Sequence, residues 1–157
     1  MNWFISNREF IKNLAINTGT TEEPIFTTMC TTSEINVETD LEQKDFYVYC
    51  DALKRKITTG AEVKLAGTVK IDVNNEAIIS LLGNVHTLIA EGTISQFNNI
   101  LIQFDLLTGV ENGVLEYTTY QVQTSLVLSD LGGAAEDEGE FGFEMTFIGT
   151  GTVVPSA

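Results

Sequence analysis

Apolar and polar residues alternate along most of this chain, which is the pattern of β-strands with one buried face. The clearest segments are Glu62–Val73, Val114–Leu128 and Phe141–Phe147, and weaker ones are Ile25–Thr32, Ser33–Asp40, Asp45–Cys50 and Phe97–Leu106. The residues predicted to share a buried face are Val63, Leu65, Val69, Ile71 and Val73; Tyr120, Val122, Leu126 and Leu128; and Phe141, Phe143, Met145 and Phe147. The pattern predicts a mainly β fold.

A different period appears once, in the segment NNEAIISLLGNVHTLIAEG that begins at Asn74. Its apolar residues recur every three or four positions, as on one face of an α-helix. They are Ile78, Leu81, Leu82, Val85, Leu88 and Ile89. Asn74 or Asn75 can cap the N-terminus, and Gly92 can adopt the left-handed conformation that ends a helix. We predict one flanking helix over about residues 75–90, with about four turns lying on the sheet.

Turn-forming residues separate the predicted elements. They cluster at Asn17–Glu23, Thr58–Gly60, Gly109–Gly113 and Leu131–Gly139. A long polar stretch, residues 41–61, surrounds Leu53-Lys54-Arg55-Lys56 and is predicted to be an extended hairpin or a mobile loop. Because no interdomain linker is recognisable, residues 1–157 are predicted to form a single domain, with residues 1–24 as an N-terminal arm or first strand.

The composition indicates an ordered globular chain. Of its 157 residues 43% are hydrophobic and only two are proline, with a mean hydropathy of +0.10, well outside the range of disordered sequences. The start lacks the pattern of a signal peptide, and no apolar run is long enough for a membrane span. Cys30 and Cys50 have neither a CxxC spacing nor a histidine cluster beside them, so we expect two reduced, buried thiols.

The formal net charge of −14 is unevenly distributed along the chain. All eight Lys and Arg residues lie within the first 70 positions, and the rest of the chain has twelve acidic residues and no Lys or Arg. Nucleic-acid affinity depends on Lys and Arg displacing counterions from phosphates, so this surface should repel DNA, RNA and anionic lipid. The charge excludes a nucleic-acid-binding protein but is compatible with nucleic acid passing an acidic wall without sticking to it.

Candidate catalytic residues are few and isolated. His86 is the one histidine and lies within the predicted helix, and Ser80 on the same helix has no GxSxG context and no evident base. Gly149-Thr150-Gly151 resembles a phosphate-binding loop only superficially, because neither a helix nor a lysine follows it. We therefore expect a non-enzymatic protein with no cofactor and no metal.

The acidic run Glu136-Asp137-Glu138-Gly139-Glu140 lacks the alternating ligand pattern of a dedicated calcium loop. A solvated loop and a contact between subunits are the two main interpretations, and a metal site is a remote third. Most aromatic residues alternate into the predicted core. Trp3, Phe4, Tyr47 and Tyr49 remain as candidates for an interface.

From about residue 58 onward the order of elements resembles the bacteriophage tail-tube (major tail) protein family. ITTGAEVKLAGTVKIDVNNEAIISLLGNVHTLIAEGTISQFNNILIQFDLL is similar to the centre of that family, with a long strand, an Asp/Asn-rich helix start and a helix ending at glycine. YTTYQVQTSLVLSDLGGAAEDEGEFGFEMTFIGTG is similar to its closing hairpin, with an acidic turn and a phenylalanine-alternating strand. The resemblance covers about residues 25–154.

The resemblance implies an antiparallel β-sandwich or split β-barrel with one flanking helix and an extended hairpin loop. It implies hexameric rings of the chain stacked into a hollow tube, a conduit for phage DNA or an injected effector, with initiator, terminator and tape-measure proteins as partners. The expected location is the virion tail, assembled in the bacterial host cytoplasm, with no membrane association of the subunit. A monomeric or dimeric β-sandwich adhesin or carbohydrate-binding module is the main alternative.

The separation of charge suggests how copies would meet. We expect the basic cluster Lys54, Arg55 and Lys56 to contact an acidic surface of a neighbouring subunit. The candidate acidic residues are Glu136, Asp137, Glu138 and Glu140. A solvated basic loop without a partner is the alternative interpretation.

Overall fold

The computed structural model describes residues 4–20, 22–48 and 51–155, without side chains at positions 48, 51–55, 95 and 96. The elements are a 3-10 turn at Asn7–Glu9, β1 (Ile11–Asn17), β2 (Phe26–Thr28), β3 (Thr32–Val48), β4 (Asp51–Lys70), α1 (Glu76–Glu91), α2 (Ser95–Asn98), β5 (Ile100–Glu111), β6 (Val114–Ser129), β7 (Glu140–Phe147) and β8 (Thr152–Val153). All pairings are antiparallel, which confirms the mainly β prediction.

The strands form one sheet in the order β2-β1-β5-β6-β7-β4-β3, with β8 pairing with β6 off this path. The sheet is not closed into a barrel. β5, which is largely apolar on both faces, lies between β1 and β6. β7 is central, since Lys64–Lys70 of β4 pair with one edge of it and Thr124–Ser129 of β6 pair with the other.

One face of the sheet carries the hydrophobic core. The fully buried large side chains include Leu65 and Val69 on β4, Val122 on β6, and Phe141, Phe143 and Met145 on β7. Tyr120, Leu128 and Phe147 pack against this cluster, as their alternation predicts. Gly67 allows β3 and β4 to approach closely, because a Cβ at this position would clash with the carbonyl oxygen of Glu34.

Helix α1 begins and ends as the sequence predicts. The side chain of Asn75 accepts a hydrogen bond from the amide of Ala77 at 2.9 Å, and Gly92 ends the helix with φ of 69°. Only the first half is buried, through Ala77, Ile78 and Leu81. The prediction that all turns lie on the sheet is wrong, because Leu88 and Ile89 are exposed. Within the described parts of the chain, no helix is long and apolar enough to cross a membrane.

Several predicted boundaries differ from the structure. Thr58–Gly60 is not a turn but part of β4, where the register shifts between the pairs Glu42–Gly60 and Gln43–Thr58. Such a bulge uses the same residue types as a turn. Ser33–Asp40 and the described part of Asp45–Cys50, residues 45–48, belong to one strand, β3, rather than to two separate ones. Of Ile25–Thr32, only Phe26–Thr28 form β2. β4 ends at Lys70, which leaves Val73 exposed.

Two hairpins project from the same end of the sheet. β4 begins at the β3–β4 tip and β6 begins at the β5–β6 tip, and both strands run antiparallel to β7 between them. The β3–β4 hairpin extends beyond β7 as a two-stranded ribbon, since β7 pairs with β4 only from Lys64 onward. The loop from β6 to β7, which contains residues 130–139, lies at the opposite end. The molecule therefore has a hairpin end and a loop end.

Candidate assembly surfaces

The sheet face opposite the core is polar, and two of its lysines are held by carboxylates. Lys64 lies 3.1 Å from Glu144 on β7 and 3.5 Å from Glu38 on β3. Hydrogen bonding to Glu144 raises the pKa of Lys64 above its usual value. Lys70 lies 3.4 Å from Glu138 and 3.7 Å from Glu140. Each lysine thus faces two carboxylates, which reduces the positive charge that this face presents.

The polar face continues across β5 and β6 as a ladder of paired side chains. Gln121 donates a hydrogen bond to Gln103 at 2.9 Å, and Thr119 donates one to Asp105. Asn13, which has φ of 56° where β1 bulges, donates to the same carboxylate at 2.8 Å. These groups satisfy one another within the subunit, so the surface is hydrophilic without being reactive.

The N-terminal segment is fixed beside the base of the β5–β6 hairpin. The hydroxyl of Tyr117 donates to the backbone oxygen of Glu9 at 2.6 Å and lies 3.1 Å from its carboxylate. Lys12 lies 2.9 Å from the same carboxylate and 4.8 Å from the centre of the Tyr117 ring. The hydrogen bond from Lys12 lowers the pKa of Glu9, and the ammonium of Lys12 has a raised pKa in return. Residues before β1 are thereby held at the hairpin end.

The basic and acidic candidates lie at opposite ends of the molecule. Lys54, Arg55 and Lys56 are on β4 close to its tip, and Lys56 is exposed. Glu136, Asp137 and Glu138 are exposed in the β6–β7 loop, and Glu140 begins β7 opposite Lys70. At about 3.3 Å per residue, the path along β4 from Lys56 to Lys70 is roughly 45 Å. Lys56 therefore lies far from these acidic residues in its own subunit.

The predictions for the aromatic interface candidates and for the two cysteines have different outcomes. Phe4 and Tyr47 are exposed, whereas Trp3 and Tyr49 lie outside the described residues. The prediction of a buried thiol at Cys30 is wrong, because its side chain is exposed just after β2 ends; Cys50 lies outside the described residues.

The described residues contain no cluster of side chains suited to a metal ion. His86 is exposed on α1, and within residues 4–20, 22–48 and 51–155 no three His, Cys, Asp or Glu side chains are placed to hold a metal. A crevice of about 580 Å³ lies between the start of β1 and the start of β3, where Asn7, Arg8 and Lys12 face Ser33 and Glu34. It is an opening between two strand edges of the incompletely closed sheet.

The exposed apolar residues that the structure describes outside the predicted sites include two groups at the ends of elements. One is the second half of α1, and the other is the β5–β6 tip with Val110 and Val114. The signal at the tip is present in the sequence, since Asn112-Gly113 is a typical two-residue hairpin turn and both residues have positive φ. The exposure of the helix end depends on where the helix lies relative to the sheet, which its periodicity does not reveal.

Comparison with solved structures identifies the architecture. The tail of an empty gene transfer agent (GTA) particle, refined with C6 symmetry, matches with a TM-score of 0.58 over 90% of this chain and 96% of that chain, at 11% identity. The sheath-tube complex of an extracellular contractile injection system matches with a TM-score of 0.56 over 97% of this chain and 93% of that chain, at 10% identity. The chain has the fold of phage-like tail tubes.

A third match is the virion of a native gene transfer agent particle, with a TM-score of 0.55, 11% identity, and 91% of this chain and 96% of that chain covered. No protein-family model and no curated protein matches the sequence. The tail-tube fold is therefore established from the arrangement of elements, which confirms the resemblance found in the sequence. It places the central sheet, the flanking helix and the long hairpin in a known architecture.

Proposed function

We propose that this chain is a non-enzymatic structural subunit that polymerises with copies of itself, as stacked rings, into a hollow tail tube. The observation that carries the proposal is the tail-tube fold, matched over at least 90% of this chain in the three structures. Six subunits per ring are the preferred number, since the tail of the empty GTA particle was refined with C6 symmetry. The subunit would belong to the virion tail and be assembled in the host cytoplasm.

The unpaired strand edges support polymerisation. β3 forms one side of the sheet and β2 the other, and the distal part of the β3–β4 ribbon has no third strand beside it among the described residues. Exposed edges of this length bind other strands unless they are covered, and closure of subunits into a ring covers them. The edges thus favour a polymer over a monomeric adhesin.

The polar sheet face is our candidate for the wall of the lumen. Its lysines are paired with carboxylates and its amides with one another, so it offers few free groups to a passing polyanion. The strong net negative charge of the subunit would repel phosphates. DNA or an effector would therefore pass through without specific binding, and the initiator, terminator and tape-measure proteins would be further partners.

We propose that rings stack with the hairpin end of one against the loop end of the next. The supporting observation is the position of Lys54, Arg55 and Lys56 at one end and of Glu136, Asp137 and Glu138 at the other. Copies in the same orientation bring these opposite charges together, and such a contact generates an open stack. Glu138 and Glu140 both lie beside Lys70, so Glu136 and Asp137 would be the more available of the four acidic candidates.

The carbohydrate-binding alternative predicts a row of exposed aromatic residues on one surface. The exposed aromatic side chains of the described residues include Phe4, Phe10 and Tyr47, which lie before β1 and on β3. They do not form a row on one sheet face, so the structure does not favour this alternative.

The proposal is tested by concentrating the purified protein at several salt concentrations, followed by size-exclusion chromatography and negative-stain electron microscopy. We expect rings and tubes of uniform diameter. Compact monomers under every condition, including co-expression with a tail initiator protein, would contradict the proposal.

A further inference from the structure

The apolar stripe of α1 continues beyond the subunit's own core. Leu81 is fully buried, whereas Leu88, two turns later on the same helix face, is 37% exposed and Ile89 is 80% exposed. The apolar residues keep their three- and four-residue spacing up to Ile89. A helix that only covered the sheet of its own subunit would not need apolar side chains at Leu88 and Ile89. An exposed apolar continuation of a buried stripe indicates a surface that another molecule covers.

The exposed half of α1 points toward the loop end of the molecule. Asn75 at the start of the helix donates a hydrogen bond to the backbone oxygen of Thr28 on β2. Ser80 and Asn84 then line a crevice with Thr18 and Gly19, which follow β1 at the loop end. The seven residues that follow Asn84, up to Glu91, therefore extend about 10 Å further in this direction. We call residues 85–91 the helix end.

The hairpin end carries a matching apolar feature. Val110 is 58% exposed and Val114 is 66% exposed, on either side of the turn at Asn112-Gly113. Both turn residues have positive φ, 52° and 79°, as in the tight turns that hold a hairpin rigid. We call Val110 and Val114 the valine tip. Their side chains project from opposite faces of the hairpin, since Val110 is paired with Leu115 and Val114 with Glu111. The tip is therefore a preformed projection with a valine on each face, and a rigid projection docks with little loss of conformational entropy.

The valine tip and the helix end both lie toward the β2 edge of the sheet. The valine tip belongs to β5 and β6, and the helix packs on β1 and β2 next to β5. The acidic residues 136–138 lie in the loop that joins β6 to β7, and the basic cluster is on β4, so both lie nearer the β3 edge of the sheet. When one copy is displaced along the strand direction onto the next, the valine tip therefore meets the helix end. At the same time the basic cluster meets the acidic residues 136–138.

The geometry points to a second copy of this chain as the partner of the helix end. The valine tip of one subunit docks against Leu88 and Ile89 of the subunit in the next ring. This docking rests on the proposed stacking function and adds to it an apolar contact beside the charged one. Two contacts at different positions fix the rotation of one subunit on the next, which a single charged loop does not. Because salt screens charged contacts but not apolar ones, part of the stacking should persist at high salt.

The test uses the full chain with Ile89→Asp in the helix end or Val114→Asp in the valine tip. Ile79→Asp is the matched control, because Ile79 lies on the same helix and is 50% exposed but belongs to the first half. Circular dichroism verifies folding, and ultracentrifugation with electron microscopy measures assembly. We expect Ile89→Asp and Val114→Asp each to form rings but at least tenfold fewer tubes than wild type, while Ile79→Asp forms tubes normally.

Mixing rings of the two variants distinguishes head-to-tail docking from other effects of the substitutions. Rings of Ile89→Asp keep an intact valine tip, and rings of Val114→Asp keep an intact helix end. Mixed, they should form pairs of rings, about twice the mass of one ring, and grow no further. The docking would be overturned if either variant formed normal tubes or remained monomeric. It would also be overturned if Ile79→Asp lost tubes to the same extent, or if the mixture formed no ring pairs. Wild-type protein that forms no tubes would instead overturn the stacking function, and the docking with it.

Discussion

At the scale of single residues, Tyr117 joins three parts of the chain. Its hydroxyl donates to Glu9 before β1, and its ring lies beneath the ammonium of Lys12. Removing the hydroxyl leaves the Glu9 backbone oxygen without this donor, so Tyr117→Phe should lower the free energy of unfolding by about 1 kcal/mol. Urea denaturation of the monomer measures this difference.

Tyr120→Phe is the control, because no hydrogen bond of the Tyr120 hydroxyl is found among the described residues. Its ring packs beside Phe104 with centroids 5.8 Å apart, and this contact survives the change. Equal destabilisation by the two substitutions would show that the hydroxyl of Tyr117 does not hold the N-terminal segment.

The contact between Glu9 and Lys12 also predicts a pH dependence. Hydrogen bonding to Lys12 holds the pKa of Glu9 below its usual value, so this contact contributes stability above the ordinary glutamate pKa of about 4.3. The contribution should be lost as the pH falls through the lowered pKa. The difference in unfolding free energy between wild type and Glu9→Gln should therefore stay constant from pH 7 to about pH 5 and shrink at more acidic pH. A difference that grows on acidification would contradict this assignment.

Substitution by alanine should have opposite effects on the stability of the fold at two glycines. At Gly67 a Cβ would clash with backbone atoms of Glu34, and Gly67→Ala should cost about 1–3 kcal/mol. At Gly83 in α1 a Cβ meets nothing within 4 Å, and Gly83→Ala should stabilise by about 0.5–1 kcal/mol through higher helix propensity. Thermal unfolding of both variants measures this, and a stabilising Gly67→Ala would mean that β3 and β4 are not so close.

At the scale of elements, α1 divides into a half that supports the fold and a half that does not. Leu81→Ala removes a fully buried side chain and should destabilise the monomer by about 2–5 kcal/mol. Leu88→Ala, on the same face two turns later, should change monomer stability by no more than about 1 kcal/mol. Chemical denaturation of the two variants measures the contrast, and similar losses would show that the helix end is buried in the free subunit.

Periodicity predicts elements that pack within one subunit. The strands with Leu65, Val122 and Phe143 on one face were predictable because burial selects every second residue. The cap at Asn75 and the stop at Gly92 were predictable because they depend on local backbone chemistry. These signals do not depend on distant parts of the chain.

Features set by tertiary placement were not predictable. The residues at Thr58–Gly60 suit a turn, yet pairing with β3 continues through them and makes a bulge. The stripe of α1 looks the same at Leu81 and at Leu88, although only the first lies over the core. Likewise, the sequence places Lys54 and Glu136 far apart without showing that they lie at opposite ends of the fold. That arrangement follows from the pairing of β4 and β6 with β7.

At the scale of the whole molecule, opposite charges at the two ends predict how assembly responds to charge reversal. In the proposed stacking, changing Lys54, Arg55 and Lys56 together to Glu should slow or block tube growth without unfolding the subunit, because like charges would then meet between successive rings. Changing Glu136, Asp137 and Glu138 together to Lys should also impair growth, although it lowers the overall repulsion between copies. Turbidity and electron microscopy measure tube yield.

Combining the two sets of substitutions supplies the control. The combined variant has the wild-type formal charge of −14 with the signs at the two ends exchanged, and tube growth should partly recover. If the triple change at residues 136–138 accelerates growth instead, overall repulsion rather than a specific contact controls stacking. Unchanged tube yield and salt dependence in the 54–56 variant would remove these charges from the junction.

The interior position of β7, between β6 and β4, affects the order in which the chain folds. The β3–β4 and β5–β6 hairpins join neighbouring segments and can form early, since little loop entropy opposes local pairing. β7 must then enter between β6 and β4, and its pairing of Met145 with Leu65 closes a loop that includes both α1 and the β5–β6 hairpin. Until these late-synthesised residues arrive, both hairpins keep an unpaired edge and the core lacks Phe141, Phe143 and Met145. A ribosome-bound chain ending before Glu140 should therefore remain protease-sensitive and bind chaperones, and addition of β7 should convert it to a protected state in one step.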